Sequence, residues 1–321
     1  MLQFAHHIGT EYPPTLEDRM EAQDRVADLN SRYRHFGTSY LLEAVLTRGI
    51  FNSVAMVSSF GAESAVLLHL IAQIDRDLPV LFIDTQLLFA ETLTYQRDLA
   101  DHLRLTNVHI IRAAPQTVEA VDPYGALRFS NPDACCTLRK TQPLSTALQG
   151  YDAWITGRKR HQAETRQGLH YFDCDDSNAR IKINPLIDWK PARIKAHLET
   201  HKLPRHPLVA KGYPSIGCAP CTSTVNKGES SRAGRWRGTT KTECGLHAAP
   251  LKSGDVTCVL LLPIRDSRAL KTPHSGSQVT IRSTYHPTPI RLDYPIYCMA
   301  WNLFALISQA LPMDAGSLSP G

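Results

Sequence analysis

Along residues 54–156, short apolar runs alternate with longer stretches in which apolar residues recur every three or four positions. Val54–Val57, Pro79–Ile83, Val108–Ile111 and Ala153–Thr156 read as short buried strands. Between them, Ala62–Ile74 has the period of a helix, with Ala65, Leu68 and Ile71-Ala72 facing inward, and Glu91–Leu103 reads as another. A helix following Cys136 leads to the fourth strand. Strands alternating with helices predict an α/β fold, a doubly wound and mostly parallel sheet covered on both faces.

The flanks add elements without evident chemistry. Thr15 and Asp18 form a capping-box pattern ahead of Ala22, Val26, Leu29 and Tyr33 at helical spacing, and Ser39–Arg48 predicts a helix stopped at Gly49. The acidic stretch Tyr171–Asn178 reads as a loop, with Cys174 an incidental thiol in it. Lys182–Leu186 reads as a strand entering a Pro-stopped turn, and Pro191 as the first position of a helix to Thr200. Beyond Ala248, Val259–Pro263 suggests a strand and Trp301–Ala310 a helix, with Cys258 and Cys298 in no ligand spacing.

The strand ends carry the first candidate chemistry. The turn Ser58-Ser59-Phe60-Gly61-Ala62-Glu63-Ser64 joins a strand to a helix with small and hydroxyl residues. Such a turn lets a backbone approach closely and offers amide donors to an oxyanion. It lacks the Gly-Lys-Ser/Thr ending of a Walker A loop. Asp84-Thr85 and Thr156-Gly157-Arg158 end two other strands, and ligands of open α/β sheets sit outside those ends, so the three turns should converge.

Four cysteines add a second site. Cys135-Cys136 and Cys218-Ala219-Pro220-Cys221 are two pairs from distant stretches, a soft donor set suited to Zn²⁺ or an iron–sulfur cluster. Adjacent thiolates bend awkwardly toward one Zn²⁺ ion, whereas a cuboidal cluster offers each its own iron, which favours [4Fe–4S]. Buried free thiols beside an unrelated CxxC redox pair are the bland alternative.

Bulk properties constrain the setting. The chain has 321 residues, eight cysteines and a net charge of +5, with local concentrations at Arg158-Lys159-Arg160, Arg166, Arg232, Arg235 and Arg237. No basic helix or aromatic-interleaved basic stripe points to nucleic acid. Met1–Thr10 lacks the pattern of a secretory signal, and Met299–Leu311 falls short of the roughly 20 apolar residues of a membrane span. The expectation is a cytoplasmic protein with no membrane partner, in which cysteines serve metals or catalysis.

Taken together these stretches resemble the adenylylsulfate (APS) reductases of the assimilatory sulfonucleotide reductase family. The resemblance runs through Ser58–Ser64, Leu81–Thr85, Cys135-Cys136 with Arg139-Lys140, Thr156–Arg160, Lys182–Leu186, Leu203–Leu208, Gly217–Thr222 and Arg232–Gly238. It ends in Lys241-Thr242-Glu243-Cys244-Gly245-Leu246-His247, which looks like that family's catalytic tail.

The resemblance implies an adenine-nucleotide α-hydrolase-like (PP-loop) fold and a [4Fe–4S] cluster on Cys135, Cys136, Cys218 and Cys221. It places Ser58, Ser59, Gly61 and Ser64 on the nucleotide, and Lys140, Arg158, Arg232, Arg235 and His247 at the phosphosulfate and active site. Cys244 is then the nucleophile. The implied reaction reduces adenosine 5′-phosphosulfate to sulfite and AMP through an S-sulfocysteine that thioredoxin or glutaredoxin resolves. A PAPS reductase acting on the 3′-phosphorylated nucleotide, an ATP-splitting enzyme on the same fold and a non-enzymatic Zn-binding module are the rival readings. Homo-oligomerisation stays open.

The expected organisation is a helical segment at 1–37, a nucleotide-binding domain at 38–230 carrying the cluster cysteines, a catalytic tail at 231–247 and an extension at 248–321. Two departures stand out. Gln86 and Ala90 occupy positions where many relatives have Gly and Pro, and relatives generally end soon after the tail.

Overall fold

Helix α1 (Leu16–Tyr33) opens the fold, and the capping box read from its sequence is present: the Asp18 amide donates to Thr15 Oγ1 at 3.1 Å and the Thr15 amide to Asp18 at 2.8 Å. The computed structural model describes residues 14–175, 179–239, 241, 243, 245 and 246, with the backbone of 278–281 and 290–293. After α2 (Thr38–Thr47) come β1 (Val54–Ser58), α3 (Ser64–Ala72), β2 (Val80–Ile83), α4 (Ala90–Leu103) and β3 (Val108–Ile111). Short helices α5 (Pro115–Val121), α6 (Leu127–Ser130), α7 (Pro132–Cys136) and α8 (Gln142–Ala147) lead to β4 (Ala153–Ile155). Strands β5 (Phe172–Asp175) and β6 (Arg180–Ile183) and helices α9 (Pro191–Thr200) and α10 (Pro207–Ala210) follow.

The six strands form one sheet in the order β3-β2-β1-β4-β6-β5. All neighbours run parallel except β5, which pairs antiparallel with β6. The order reverses between β1 and β4, so the carboxyl ends of those strands flank the crevice where such sheets bind ligands. The apolar runs are short because each strand crosses a core covered on both faces: Ala55, Met56, Val80, Phe82, Ala153 and Ile155 are nearly inaccessible. Ala65, Leu68, Ile71 and Ala72 of α3 join that core, as their spacing predicts.

Two expectations are corrected. The acidic stretch after Tyr171 is not simply a loop, because residues 172–175 form the edge strand β5, and Cys174 lies on it opposite Ile181. Phe172 fills the core, while Asp173 pairs with Arg158 at 3.1 Å and Asp175 with Lys182 at 3.4 Å. Those cations come from other segments, so the local sequence looks too acidic for a strand when its charges are in fact neutralised.

The helix after Cys136 is also broken. Between α7 and α8, Thr137–Thr141 form a π turn. Pro143 has no N–H to offer the Arg139 carbonyl four residues earlier, so the α-helical ladder cannot run through unchanged.

Residues 1–250 and 251–321 are separate compact units. In the second, β7 (Gln278–Ile281) and β8 (Ile290–Asp293) pair antiparallel. The elements expected at Val259–Pro263 and Trp301–Ala310, with Cys258 and Cys298, lie outside the described residues. Among the described residues no helix is long and apolar enough to cross a membrane.

Candidate active site

A cavity of about 580 Å³ opens at the carboxyl ends of β1 and β4. The turn after β1 supplies one wall. Phe60 takes a left-handed backbone (φ 45°) and is fully buried against Phe82, which fixes the turn from below. Ser58 Oγ accepts from the Phe60 amide at 3.2 Å, and Ser64 Oγ accepts from the Gly61 amide at 2.9 Å. A Cβ at Gly61 would stand 3.6 Å from the Ile216 carbonyl and 3.4 Å from Ser59 Oγ, so the turn and the segment before Cys218 approach closely there. No side chain caps the start of α3.

The three strand-end turns do converge: Thr85, Thr156, Gly157 and Arg158 line the cavity with Ser58, Ser59, Gly61 and Ser64. Asp84 does not join them. Its carboxylate turns to Arg112 at 2.9 Å and accepts from the Gln86 amide at 2.8 Å. Gln86, at one of the departures from the family pattern, has a left-handed backbone (φ 61°) and receives a long 3.4 Å contact from Arg139.

Cationic side chains share the lining: Lys140, Arg158, Arg166, Arg232 and Arg235. Arg158 is buried, donating to Asp173 and to Asn184 Oδ1 (3.1 Å each). Burial pulls its pKa down against the opposing charge of Asp173. Arg235 donates to the Ile216 carbonyl at 3.1 Å and lies 4.5 Å from the centre of the Trp236 ring. Trp236 is itself buried, with a left-handed backbone (φ 50°), so it works as a platform under the cations and not as an exposed surface for a base.

Two carboxylates enter this wall, and both are neutralised. Lys159, 3 % exposed, donates to Glu63 at 2.9 Å, and burial lowers its pKa despite that partner. Glu243 receives Arg166 at 2.7 and 2.8 Å and Arg232 at 3.3 Å. Burial alone would raise the Glu243 carboxyl, but the Arg166 bonds and the charges of Arg166, Arg232 and Arg235 hold it below the ordinary range. Glu243 and Leu246, on either side of Cys244, both line the cavity. Cys244 and His247 themselves lie outside the described residues.

The four paired cysteines come together beside this wall. Burial, then the neighbouring Cys136, Cys218 and Cys221, push the Cys135 thiol up to about 11, with Arg139 opposing. The Cys221 thiol is raised by burial and by Cys218 and Cys136, and lowered by Lys140 and Arg235. Cys135 and Cys221 therefore each feel the other pair, and Lys140 and Arg235 of the cavity wall act on Cys221. Thr85 Oγ1 lies 3.1 Å from Cys218 Sγ, and the Ala219 amide donates to the Leu87 carbonyl at 2.7 Å, tying the second pair to the end of β2. A buried Arg139–Asp122 ion pair (3.0 Å) and the Asn131 cap on the Ala134 amide (3.0 Å) hold the first pair. The Trp236 amide donates to the Cys221 carbonyl at 3.0 Å and the Ser223 amide to the Gly234 carbonyl at 2.8 Å, so the arginine segment is laced onto the CxxC segment.

Sequence reasoning missed the Arg166–Glu243–Arg232 network and the Glu63–Lys159 pair. Arg166 was visible only as one residue of a basic cluster, and no spacing links it to Glu243, 77 positions away.

A parallel sheet with an uncapped helix start at its switch point, a hydroxyl-lined turn and a cationic wall defines a nucleotide-binding α/β protein. Residues 53–224 match the phosphoadenosine phosphosulfate reductase domain, and the chain belongs to that family. It is 43 % identical over 235 residues to the adenosine 5′-phosphosulfate reductase of Chelativorans sp. (strain BNC1), covering 73 % of this chain and 95 % of that protein. Over 244 residues it is 45 % identical to the enzyme of the same name from Mesorhizobium japonicum, covering 75 % and 95 %. Among solved structures it resembles a phosphoadenylyl-sulfate (PAPS) reductase from Candida auris in a phosphate complex, with a TM-score of 0.53 and 29 % identity over 63 % of this chain and 97 % of that one.

Proposed function

We propose that this protein reduces adenosine 5′-phosphosulfate to sulfite and AMP, with Cys244 as nucleophile. The observation that carries the reading is the cavity itself. It gathers the Ser58–Ser64 turn, Lys140, Arg158, Arg232 and Arg235, with both flanks of Cys244 in its lining. A phosphosulfate anhydride presents two adjacent anions, and planar guanidinium groups with a compact ammonium neutralise such a pair.

In the first step the Cys244 thiolate attacks the sulfuryl sulfur. An S–S bond forms, the S–O bond to the AMP phosphate breaks, and AMP leaves with the electron pair. In the second step a dithiol reductant of the thioredoxin or glutaredoxin class attacks the Cys244 sulfur, and sulfite leaves with the electrons of the broken S–S bond. The reductant's second thiol then resolves the mixed disulfide, returning Cys244 as thiolate and leaving the reductant oxidised. Two electrons pass from the dithiol to sulfur. The Arg and Lys charge that lines the cavity, with His247 in the role the resemblance assigns it, would favour a thiolate in that cavity.

Cys135, Cys136, Cys218 and Cys221 fit a [4Fe–4S] cluster: they are four soft donors, and Cys135 and Cys221 each interact with the opposite pair. When bound it supplies a structural and electrostatic centre beside Lys140 and Arg235, while the dithiol supplies the electrons.

The test is to mix iron-loaded protein with the nucleotide and weigh it. The wild type gains one sulfonate and Cys244→Ser gains none while keeping its iron. A wild type that is never sulfonated, or a Cys244→Ser protein that is, overturns the assignment. Likeness to a PAPS reductase supports the 3′-phosphorylated nucleotide as the rival substrate, and turnover on both nucleotides decides between them.

A further inference from the structure

Three imidazoles meet between α3 and α9, outside the cavity lining. His69 lies in the last turn of α3, His197 in the last turn of α9, and His201 caps that helix. Each offers one ring nitrogen, and the three nitrogens lie within 4.8 Å of one another. His69 Nδ1 and His197 Nε2 are 3.1 Å apart, and the three ring centres are separated by 4.4 to 5.1 Å.

Around a tetrahedral ion with metal–nitrogen bonds of about 2.0–2.1 Å, two ligand nitrogens stand roughly 3.3 Å apart. The His69–His197 separation is already close to that, and His201 needs only a side-chain adjustment to close on the same point.

We propose that His69, His197 and His201 form a binding site for one divalent d-block cation of the Zn²⁺, Ni²⁺ or Cu²⁺ class, with the fourth position left to water. Imidazole nitrogen is the preferred donor of these ions. Both helices point carbonyl ends at the site, which favours a cation there. Packing keeps the His197 ring in place. Trp189 meets His197 edge-on at 5.4 Å, and Arg193 lies over Trp189 at 4.0 Å.

The ion would bridge α3 to α9. Both helices contribute to the cavity wall, α3 through Ser64 and Leu67 and α9 through Ile194 and Leu198. The site therefore acts as a clasp behind the nucleotide cavity, stiffening it without touching the reaction.

The test uses untagged, iron-loaded protein with Zn²⁺, Ni²⁺ or Co²⁺ alone as the probe. Calorimetry should give one ion per chain at micromolar affinity, with a rise of several degrees in melting temperature. The Co²⁺ adduct should show a nitrogen- and oxygen-ligand spectrum without a thiolate charge-transfer band. His197→Ala and His201→Ala should each weaken binding at least tenfold and abolish the thermal shift, while sulfite release stays at the wild-type rate. His201 is exposed, so its removal leaves the fold intact even if the His197 variant is unstable. Binding that survives unchanged in His201→Ala, a thiolate-dominated Co²⁺ spectrum, or no binding at millimolar metal overturns the proposal.

Discussion

Glu243 is the contact that should decide whether the segment around Cys244 stays in the cavity. The perturbation is Glu243→Gln, which keeps the shape and one acceptor oxygen but removes the charge. Arg166 makes two bonds of 2.7 and 2.8 Å to this carboxylate and Arg232 a third of 3.3 Å, with side chains only 11 to 18 % exposed. Charge-assisted hydrogen bonds contribute about 1.5–3 kcal/mol each, and the amide recovers part of that, so the net loss is about 2 kcal/mol. That is a roughly 30-fold rise in the undocked population.

Tryptic cleavage after Lys241 reads that population directly. The Lys241 side chain is 8 % exposed and paired with Asp133, so the bond is cut only from the open form. Cleavage at Lys241, followed by mass spectrometry, should accelerate ten- to thirtyfold in Glu243→Gln, while the folded core keeps its melting temperature. Single-turnover sulfonation of Cys244 should slow, with nucleotide affinity held or improved because Arg166 and Arg232 lose their carboxylate. A cleavage rate within twofold of the wild type would refute the latch. Because the carboxyl sits below the ordinary range, the latch persists at neutral pH and loosens only as the solution is acidified through that lowered value.

Three further outcomes are expected. His206 is fully buried, its Nδ1 accepts from the Leu208 amide at 3.2 Å, and its Nε2 faces Thr92 Oγ1 at 3.1 Å; burial pulls it from 6.5 to about 4, with Glu91 opposing. The unfolded chain then binds the extra proton between those values, so stability is complete above the higher one and falls by roughly 3 kcal/mol on acidification through the lower, a slope that urea melts of His206→Gln should flatten. A Cβ at Gly217 would stand 2.3 Å from the mobile end of Arg235, whereas one at Gly234 would stand 2.1 Å from the Ser223 carbonyl. Gly217→Ala should therefore weaken nucleotide binding about tenfold at little cost in stability, and Gly234→Ala should cost about 2–4 kcal/mol in a denaturant melt. Cys218→Ser should lose iron on purification while Cys174→Ser, altered on the edge strand, keeps it, by iron and sulfide analysis.

The parallel core was legible because each strand is a self-contained apolar run and each helix carries its own period. Val108–Ile111 appears at the bounds its sequence predicts, β1, β2 and β4 differ by a residue, and β6 begins two residues before the expected Lys182 and ends at Ile183. The oxyanion turn was legible for the same reason: its residues are consecutive, and local chemistry dictates what a Ser-Ser-Phe-Gly turn before a helix offers. The cysteine pairs announced themselves by type and spacing, but only the folded chain brings Cys135 within reach of Cys218 and Cys221, and Cys221 within reach of Lys140 and Arg235.

What the chain alone determined was therefore what short-range sterics and hydrophobic period can fix: the alternation of elements, the phosphate-type turn and the soft donor set. What only the tertiary structure decided was who neutralises whom. Asp173 and Asp175 could join a strand because Arg158 and Lys182 reach them from elsewhere, Glu243 is held by an arginine far back in the chain, and three histidines from two helices bring ring nitrogens within 4.8 Å of one another. Charges and ligand nitrogens act through space with no repeat along the sequence, so their partners are set by the packing of the elements that carry them.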